Sequence, residues 1–287
     1  MNPKISAGVI IRNEERLLAR CLESIKDLAD EIIVIHDGEC TDNSLNIARK
    51  YTDKIFVREK FGSCEFHRIF FFEKAMYEWV LNIDADEYFR KEDSPKIKKL
   101  VSDGTVDAYS FIWELWNGKQ YLTHGFPKKT VLYRKNKLYF IRFHDFHCQT
   151  YGRIEETNIK LMHEPEYNNY SVEAFKTKWL RWTRIQAKSL ISVIENPETL
   201  KVYNTDEEVK QKFLRKLSLE KKFAKNYLIP LWFVVGFTQW LFRYKAYLSL
   251  FGYKVAFLKG LQASFLCYYI NKYASDKYAG HTTPKKS

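Results

Sequence analysis

Apolar runs and helix-spaced apolar stripes alternate through the first hundred residues. Residues 5–11 form an apolar run of strand length. Over residues 14–28, Leu17, Leu18, Cys21, Leu22 and Ile25 recur at helical spacing. A second buried strand is predicted at 31–35, followed by a polar turn over 36–42. A short helix then carries Leu45, Ile47 and Ala48. Residues 54–57 read as a third strand, 65–78 as a helix and 79–83 as a fourth strand. Strands and helices in this alternation imply βαβ units and a mostly parallel sheet. Ser94-Pro95 has the form of an N-cap followed by Pro at the first helical position. Residues 106–162 are richer in short strands, at 108–113, 130–133, 138–141 and 159–162. From Ser171 the pattern becomes helical. Thr205-Asp206-Glu207-Glu208 offers a capping box with Thr205 as cap, which sets a boundary at 204 or 205.

The run 228–242 is apolar all round, and at fifteen residues it is shorter than the ~20 needed to span a bilayer as a helix. Lys225 precedes it and Arg243 and Lys245 follow. Residues 247–273 mix Leu, Phe and Tyr with Lys254, Lys259 and Lys272. Aromatic and basic flanks on an apolar helix suit a membrane interface. The other reading is a buried helix pair that forms an oligomer interface.

Composition narrows the partners. A formal charge of +12 over 287 residues implies an anionic partner: nucleic acid, acidic lipid headgroups or a phosphorylated substrate. No nucleic-acid recognition motif accompanies the Lys and Arg residues, so nucleic acid is not expected. The five cysteines are odd in number and lack CxxC spacing. That argues against a disulfide framework or a structural zinc site and fits a reducing cytoplasm. Met1-Asn2-Pro3-Lys4 leads into a strand pattern and not into a signal peptide.

The most chemically specific stretch is Asp84-Ala85-Asp86-Glu87, which ends the fourth predicted strand. Ligands of open α/β sheets sit at the carboxyl ends of strands. Carboxylate oxygens placed there suit a hard divalent cation that bridges to substrate phosphates. Ordinary solvated turn chemistry is the alternative.

Three stretches then combine. The first is Ile5-Ser6-Ala7-Gly8-Val9-Ile10-Ile11-Arg12-Asn13-Glu14-Glu15 with Arg20-Cys21-Leu22-Glu23-Ser24-Ile25. The second runs from Glu31 through His36-Asp37-Gly38 to Thr41-Asp42, and the third is Asp84-Ala85-Asp86. In this order they resemble the opening of the family 2 glycosyltransferases, inverting enzymes of GT-A fold. The chain departs from the family pattern in two ways: His36 stands for the first Asp of an Asp-Asp-Gly, and one residue is added before Thr41. The resemblance implies that Asp37 contacts the donor base. It also implies that Asp84 and Asp86 hold a divalent cation, Mn2+ or Mg2+, with Asp84 touching the donor as well. Asp37 has a second reading as a brace of its turn. Arg12 and Glu14 would frame the uracil or ribose, although Glu14 also reads as a first-turn helix acid. Arg68 would pair with the diphosphate.

The second half resembles, more faintly, a subgroup that extends lipopolysaccharide core and other lipid-linked glycans. Val131-Leu132-Tyr133-Arg134, Phe143-His144-Asp145, Lys160-Leu161-Met162-His163 and residues 175–182 carry that likeness. It implies Asp145 as the general base, with Glu114, Glu155 and Glu156 as competitors, and a salt bridge to Arg142 or Arg153 as the alternative for Asp145. His163 would complete the metal shell or touch the diphosphate. Lys178 and Arg181 would bind phosphate of donor or acceptor. Lys178 stands where processive members begin their motif with Gln, which argues against processive synthesis.

The expected architecture is an α/β, Rossmann-like GT-A domain over 1–165, with a nucleotide-sugar half at 1–105 and an acceptor half at 106–165. Helices at 166–204 would close it, and a membrane-associating helical extension would occupy 205–287. The expected activity is metal-dependent transfer from a nucleotide-sugar, UDP-linked, to a lipid-linked or lipopolysaccharide-type glycan. It would take place on the cytoplasmic face of a membrane, with the C-terminal helices offering a homo-oligomer contact. The alternatives are a degenerate GT-A scaffold or glycan-binding module, and a GT-A-like nucleotidyltransferase.

Overall fold

A computed structural model describes residues 3–121, 127–243 and 250–279. The first elements are β1 (Ile5–Ile11), α1 (Leu18–Ile25), β2 (Glu31–Asp37), α2 (Ser44–Ala48), β3 (Ile55–Arg58), α3 (Glu65–Lys74) and β4 (Trp79–Asp84). There follow β5 (Glu87–Tyr88), α4 (Ser94–Leu100), β6 (Ala108–Leu115), β7 (Lys128–Arg134), β8 (Leu138–Ile141), β9 (Gln149–Thr150) and β10 (Ile154–His163). The remainder comprises α5 (Val172–Ala174), α6 (Leu180–Glu195), β11 (Val202–Tyr203), α7 (Glu207–Phe223), α8 (Ile229–Arg243) and α9 (Leu250–Ala279). A π-helical turn, Phe175–Trp179, joins α5 to α6.

The main sheet has the order β3-β2-β1-β4-β7-β6-β10-β5. β3, β2, β1 and β4 run parallel. β7 then runs antiparallel between β4 and β6, β10 lies parallel to β6, and β5 lies antiparallel on β10. β1 and β2 are buried along their whole length, as expected for strands covered on both faces. One face packs Leu18, Leu22 and Ile25 of α1 and Ile97 of α4 against Val9, Val34 and Leu81. The other packs Phe71 and Phe72 of α3 against Ile33, Ile35 and Val80. Burying each such side chain contributes about 1.5–3 kcal/mol. The register sets Ile11 opposite His36 and Ile10 opposite Asp84. The carboxyl ends of β1, β2 and β4 therefore share one edge.

Several boundaries differ from the pattern-based ones for local reasons. α1 starts at Leu18, not Glu14, because Asn13 adopts φ 55° and the Glu14 carbonyl is taken by the N–H groups of Leu17 and Leu18 in a turn. α3 stops at Lys74 because Ala75 turns extended. Asp206 holds the N-cap position of α7, one residue after Thr205. Ser94 is the first residue of α4, after Asp93 as N-cap. None of the five cysteines is paired with another.

The chain divides into two compact units. The first comprises 1–142, 146–168 and 202–204, and the second 143–145, 169–201 and 205–287. Helices expected to close the catalytic domain thus group with the C-terminal helices. Contacts such as Phe175 on Phe265, and Arg184 Nε donating to the Tyr269 hydroxyl at 2.9 Å, hold them there. Residues 247–249 of the expected apolar segment 247–273, and the tail 281–287, lie outside the described residues. Among the described residues no helix is long and apolar enough to cross a membrane.

Candidate active site

The surroundings of the acidic turn after β4 are built from five strands of the first unit. The Asp84 N–H donates to Glu87 Oε2 at 3.1 Å, which closes the Asp-Ala-Asp-Glu turn on itself. β7 lies beside β4 and contributes Lys129, whose Nζ donates to Asp84 Oδ2 at 2.7 Å and to Glu87 Oε1 at 2.6 Å. β5 pairs with β10 and sets His163 opposite Glu87. His163 Nε2 lies 3.3 Å from Asp86 Oδ2. The His163 ring packs on Trp113 of β6 at 4.6 Å, and Lys129 sits 5.4 Å above the same indole.

The two carboxyls that Lys129 contacts shift in opposite directions. Burial works to raise the Asp84 carboxyl, but the charges of Lys129 and Arg68 outweigh it and hold Asp84 well below its ordinary value. Glu87 is fully buried, and burial with the nearby Asp84 and Asp86 carboxylates pushes it up despite Lys129. Lys129 is raised, because two carboxylates overcome the opposing effect of its burial. Arg68, on α3, donates Nη1 to the Phe146 carbonyl at 3.2 Å, while its Nε is buried with no hydrogen-bond partner. Arg68 therefore places a buried positive charge near Asp84.

No three His, Cys, Asp or Glu side chains converge as a cage among the described residues. The donor set still fits a hard divalent ion. Mg2+-type sites use one or two carboxylates and complete their shell with substrate phosphates and water. Asp86 supplies oxygen and His163 supplies imidazole nitrogen, whereas Lys129 already compensates Asp84. In this arrangement His163 pairs with Asp86, and Lys129 holds Asp84.

The neighbouring strand end is organised in another way. Asp37 Oδ1 accepts from the Phe61 N–H at 2.6 Å and pairs with His67 Nε2 at 2.8 Å, and Oδ2 accepts from the Gly62 N–H at 2.9 Å. The residue is 3% exposed. Through these contacts Asp37 braces the loop before α3, the second of its two expected roles. Gly38 follows at φ 90°, a conformation that favours glycine. His36 links the same edge to β1. Its Nε2 accepts from the Asn13 N–H at 3.2 Å, which leaves Nδ1 as the donor to the Gly38 carbonyl at 2.9 Å. Arg12 lies exposed just past β1, and Glu14 is half-buried with its N–H on the Ser44 hydroxyl at 2.7 Å.

Asp145, Lys178 and Arg181 belong to the second unit. Asp145 is exposed at φ 65°. It acts electrostatically on Lys259, where burial lowers the ammonium and Asp145 opposes that shift. Lys178 Nζ donates to Asn169 Oδ1 at 3.0 Å and lies 4.7 Å over the Trp182 ring. Arg181 is exposed on α6. Of the competing acids, Glu114 is buried and ion-paired with Lys160, and Glu156 pairs with Lys128 at 3.0 Å.

Lys129, Trp113 and the clamping role of Glu87 were not foreseen. Glu87 stood inside the quoted motif, but Lys129 and Trp113 lie on strands whose neighbours only the sheet order discloses.

The parallel half-sheet β3-β2-β1-β4, with carboxylates at its strand ends, is Rossmann-like, and ligands of such open α/β sheets sit at those ends. Residues 6–156 match the family model described as glycosyl transferase family 2. The chain belongs to that family and is a glycosyltransferase of GT-A fold. It is 30% identical over 207 residues to an uncharacterized glycosyltransferase of Rickettsia conorii, covering 67% of this chain and 72% of that one. It is also 30% identical over 144 residues to the lipopolysaccharide core biosynthesis glycosyltransferase LpsC of Rhizobium meliloti, covering 47% of this chain and 51% of LpsC. Among solved structures, the mannosyltransferase PcManGT of Pyrobaculum calidifontis, in complex with GDP-Man and Mn2+, aligns at 16% identity. That alignment has a TM-score of 0.46 and covers 96% of this chain and 88% of that one.

Proposed function

We propose that this glycosyltransferase moves a sugar, with inversion, from a UDP-linked donor to a lipid-linked or lipopolysaccharide-type glycan. The observation that carries this reading is the Asp86–His163 pair beside an Asp84 neutralised by Lys129. Asp86 and His163 would hold a divalent cation, Mn2+ or Mg2+, at the donor diphosphate. When bound, that cation supplies charge neutralisation for the departing nucleoside diphosphate. Arg68 and Lys129 add positive potential on the same side, where negative charge develops as the bond to the anomeric carbon breaks. Arg12 and Glu14 frame the base and ribose, and Asp37 keeps the intervening loop in place. Lys178 and Arg181 bind phosphate of donor or acceptor. The acceptor class rests on the likeness to LpsC and on the motif that contains Asp145.

Asp145 is assigned as the base. The acceptor hydroxyl oxygen attacks the anomeric carbon, its proton passes to the Asp145 carboxylate, and the nucleoside diphosphate leaves with the bonding pair. Asp145→Asn should spare UDP binding and slow transfer about 10²–10⁴-fold. A nucleotide-sugar screen scored by released nucleoside diphosphate checks the donor and supplies the rate. If Glu114→Gln or Glu156→Gln gives this loss and Asp145→Asn does not, the base is misassigned.

A further inference from the structure

Positive charge and exposed apolar surface coincide at the C-terminal end of the chain. Residues 205–287 hold fifteen Lys and Arg against five Asp and Glu, so this stretch supplies ten of the twelve surplus positive charges. Between Glu220 and Asp276 there is no acidic residue, and eight Lys or Arg stand there.

The helices in this stretch leave one side bare. α8 packs its inner side on α9: the Phe233 ring meets Phe257 at 5.5 Å, and a Cβ on Gly236 would come within 2.8 Å of the Ala263 Cβ. Its outer side shows Leu231, Val234, Val235 and Phe242, each 51–67% exposed, with Tyr227 one turn earlier at 80%. Steps of four, three, one and seven residues keep these side chains along one stripe of a helix with 3.6 residues per turn. An apolar stripe of this extent marks an interaction site. Beside it, Lys212, Arg215, Lys216 and Glu220 of α7 line a groove with Leu219, Phe223 and Trp232; Lys212 pairs with Glu208 and Lys216 with Glu220 along the same helix, which leaves a basic surplus there. Leu219 and Phe223 are themselves more than half exposed.

We infer that the α7–α8 face docks on an anionic bilayer. α8 would lie in the boundary between headgroups and acyl chains, with Lys212, Arg215 and Lys216 on lipid phosphates. This inference goes beyond the transfer reading and does not depend on it. Basic residues beside an apolar helix stripe bind such surfaces through apolar burial plus attraction to anionic lipid. A second copy of the chain fits the face poorly, because it would bring the same positive surplus against itself. The helix lies on the membrane and does not cross it, in keeping with its length.

Flotation of the full chain with vesicles tests this inference. The protein should float with phosphatidylcholine–phosphatidylglycerol vesicles at low salt, stay down with phosphatidylcholine alone, and be released by carbonate. Leu231→Glu with Val235→Glu should abolish flotation. A Lys212→Gln, Arg215→Gln, Lys216→Gln variant, altered only at α7 surface positions, should lower the partition coefficient about 100-fold. Retained UDP binding by both variants would show that the first unit is intact and separate the outcome from that of the transfer reading. Absence of flotation at low salt, equal flotation on neutral vesicles, resistance to carbonate, or a salt-stable dimer that the Leu231/Val235 variant dissociates would each overturn it.

Discussion

Asp37 ends β2 and Asp84 ends β4, one strand to either side of β1. Both end strands that flank β1, but their partners differ. Asp37 is met by backbone N–H groups of Phe61 and Gly62 and by a buried imidazole. The acidic turn after β4 is met by side chains from other strands, Lys129 on Asp84 and His163 on Asp86. Backbone donors fix a carboxylate as part of the fold. Side-chain partners leave room for exchange, because a cation and a diphosphate can share or replace them. A strand-end acid in an α/β sheet is therefore read by what closes on it, and its position alone does not assign a role.

The comparison is broken most severely by Asp86→Ala. The proposal expects this variant to lose most turnover while keeping its far-UV circular dichroism. Full activity of Asp86→Ala in the presence of a chelator would remove the cation from the account. A smaller but large effect is expected from Lys129→Met. It strips Asp84 and buried Glu87 of the ammonium they share, so unfolding in urea should show a loss of about 3–5 kcal/mol. Part of that loss should return on adding Mn2+ with UDP, since the ion supplies the missing charge.

Asp37→Asn sharpens the other side. Burial alone would raise the Asp37 carboxyl, but the hydrogen bond from His67 and those from the Phe61 and Gly62 N–H groups hold it below its ordinary value. A depressed carboxyl stabilises the fold fully above the ordinary Asp value of about 3.9. That contribution fades as pH falls below this value and through the lower, folded one. Asp37→Asn should cost about 1–3 kcal/mol near neutral pH. The difference from the parent should shrink as denaturation is repeated at progressively more acidic pH. A pH-independent difference would contradict the bracing role.

The contrast also shows what the sequence made legible. Continuous apolar runs identified β1, β2 and β4, because strands buried on both faces carry no polar alternation. The Asp-Ala-Asp-Glu turn stood out at the end of such a run, and His163 came from a motif position. Lys129 and Trp113 did not stand out, because β7 and β6 reach β4 through antiparallel pairings that no local pattern encodes. Bracing stood as the second reading of Asp37, but its partners were hidden for the same reason: the Phe61 and Gly62 N–H groups lie twenty-four and twenty-five residues along the chain. β5, β9 and β11, each two residues long, fall below any detectable period. The grouping of residues 169–201 with the C-terminal helices depends on packing against α9, which helical periodicity alone does not specify.

The most direct test of the central claim is calorimetric titration of Mn2+ into the protein in the presence of UDP. Three proteins would be compared at pH 7: the parent, Asp86→Ala and Asp37→Asn. The account predicts that the parent and Asp37→Asn bind one ion with similar affinity and that Asp86→Ala binds none. Binding by folded Asp86→Ala equal to that of the parent, or its loss in folded Asp37→Asn, would contradict it.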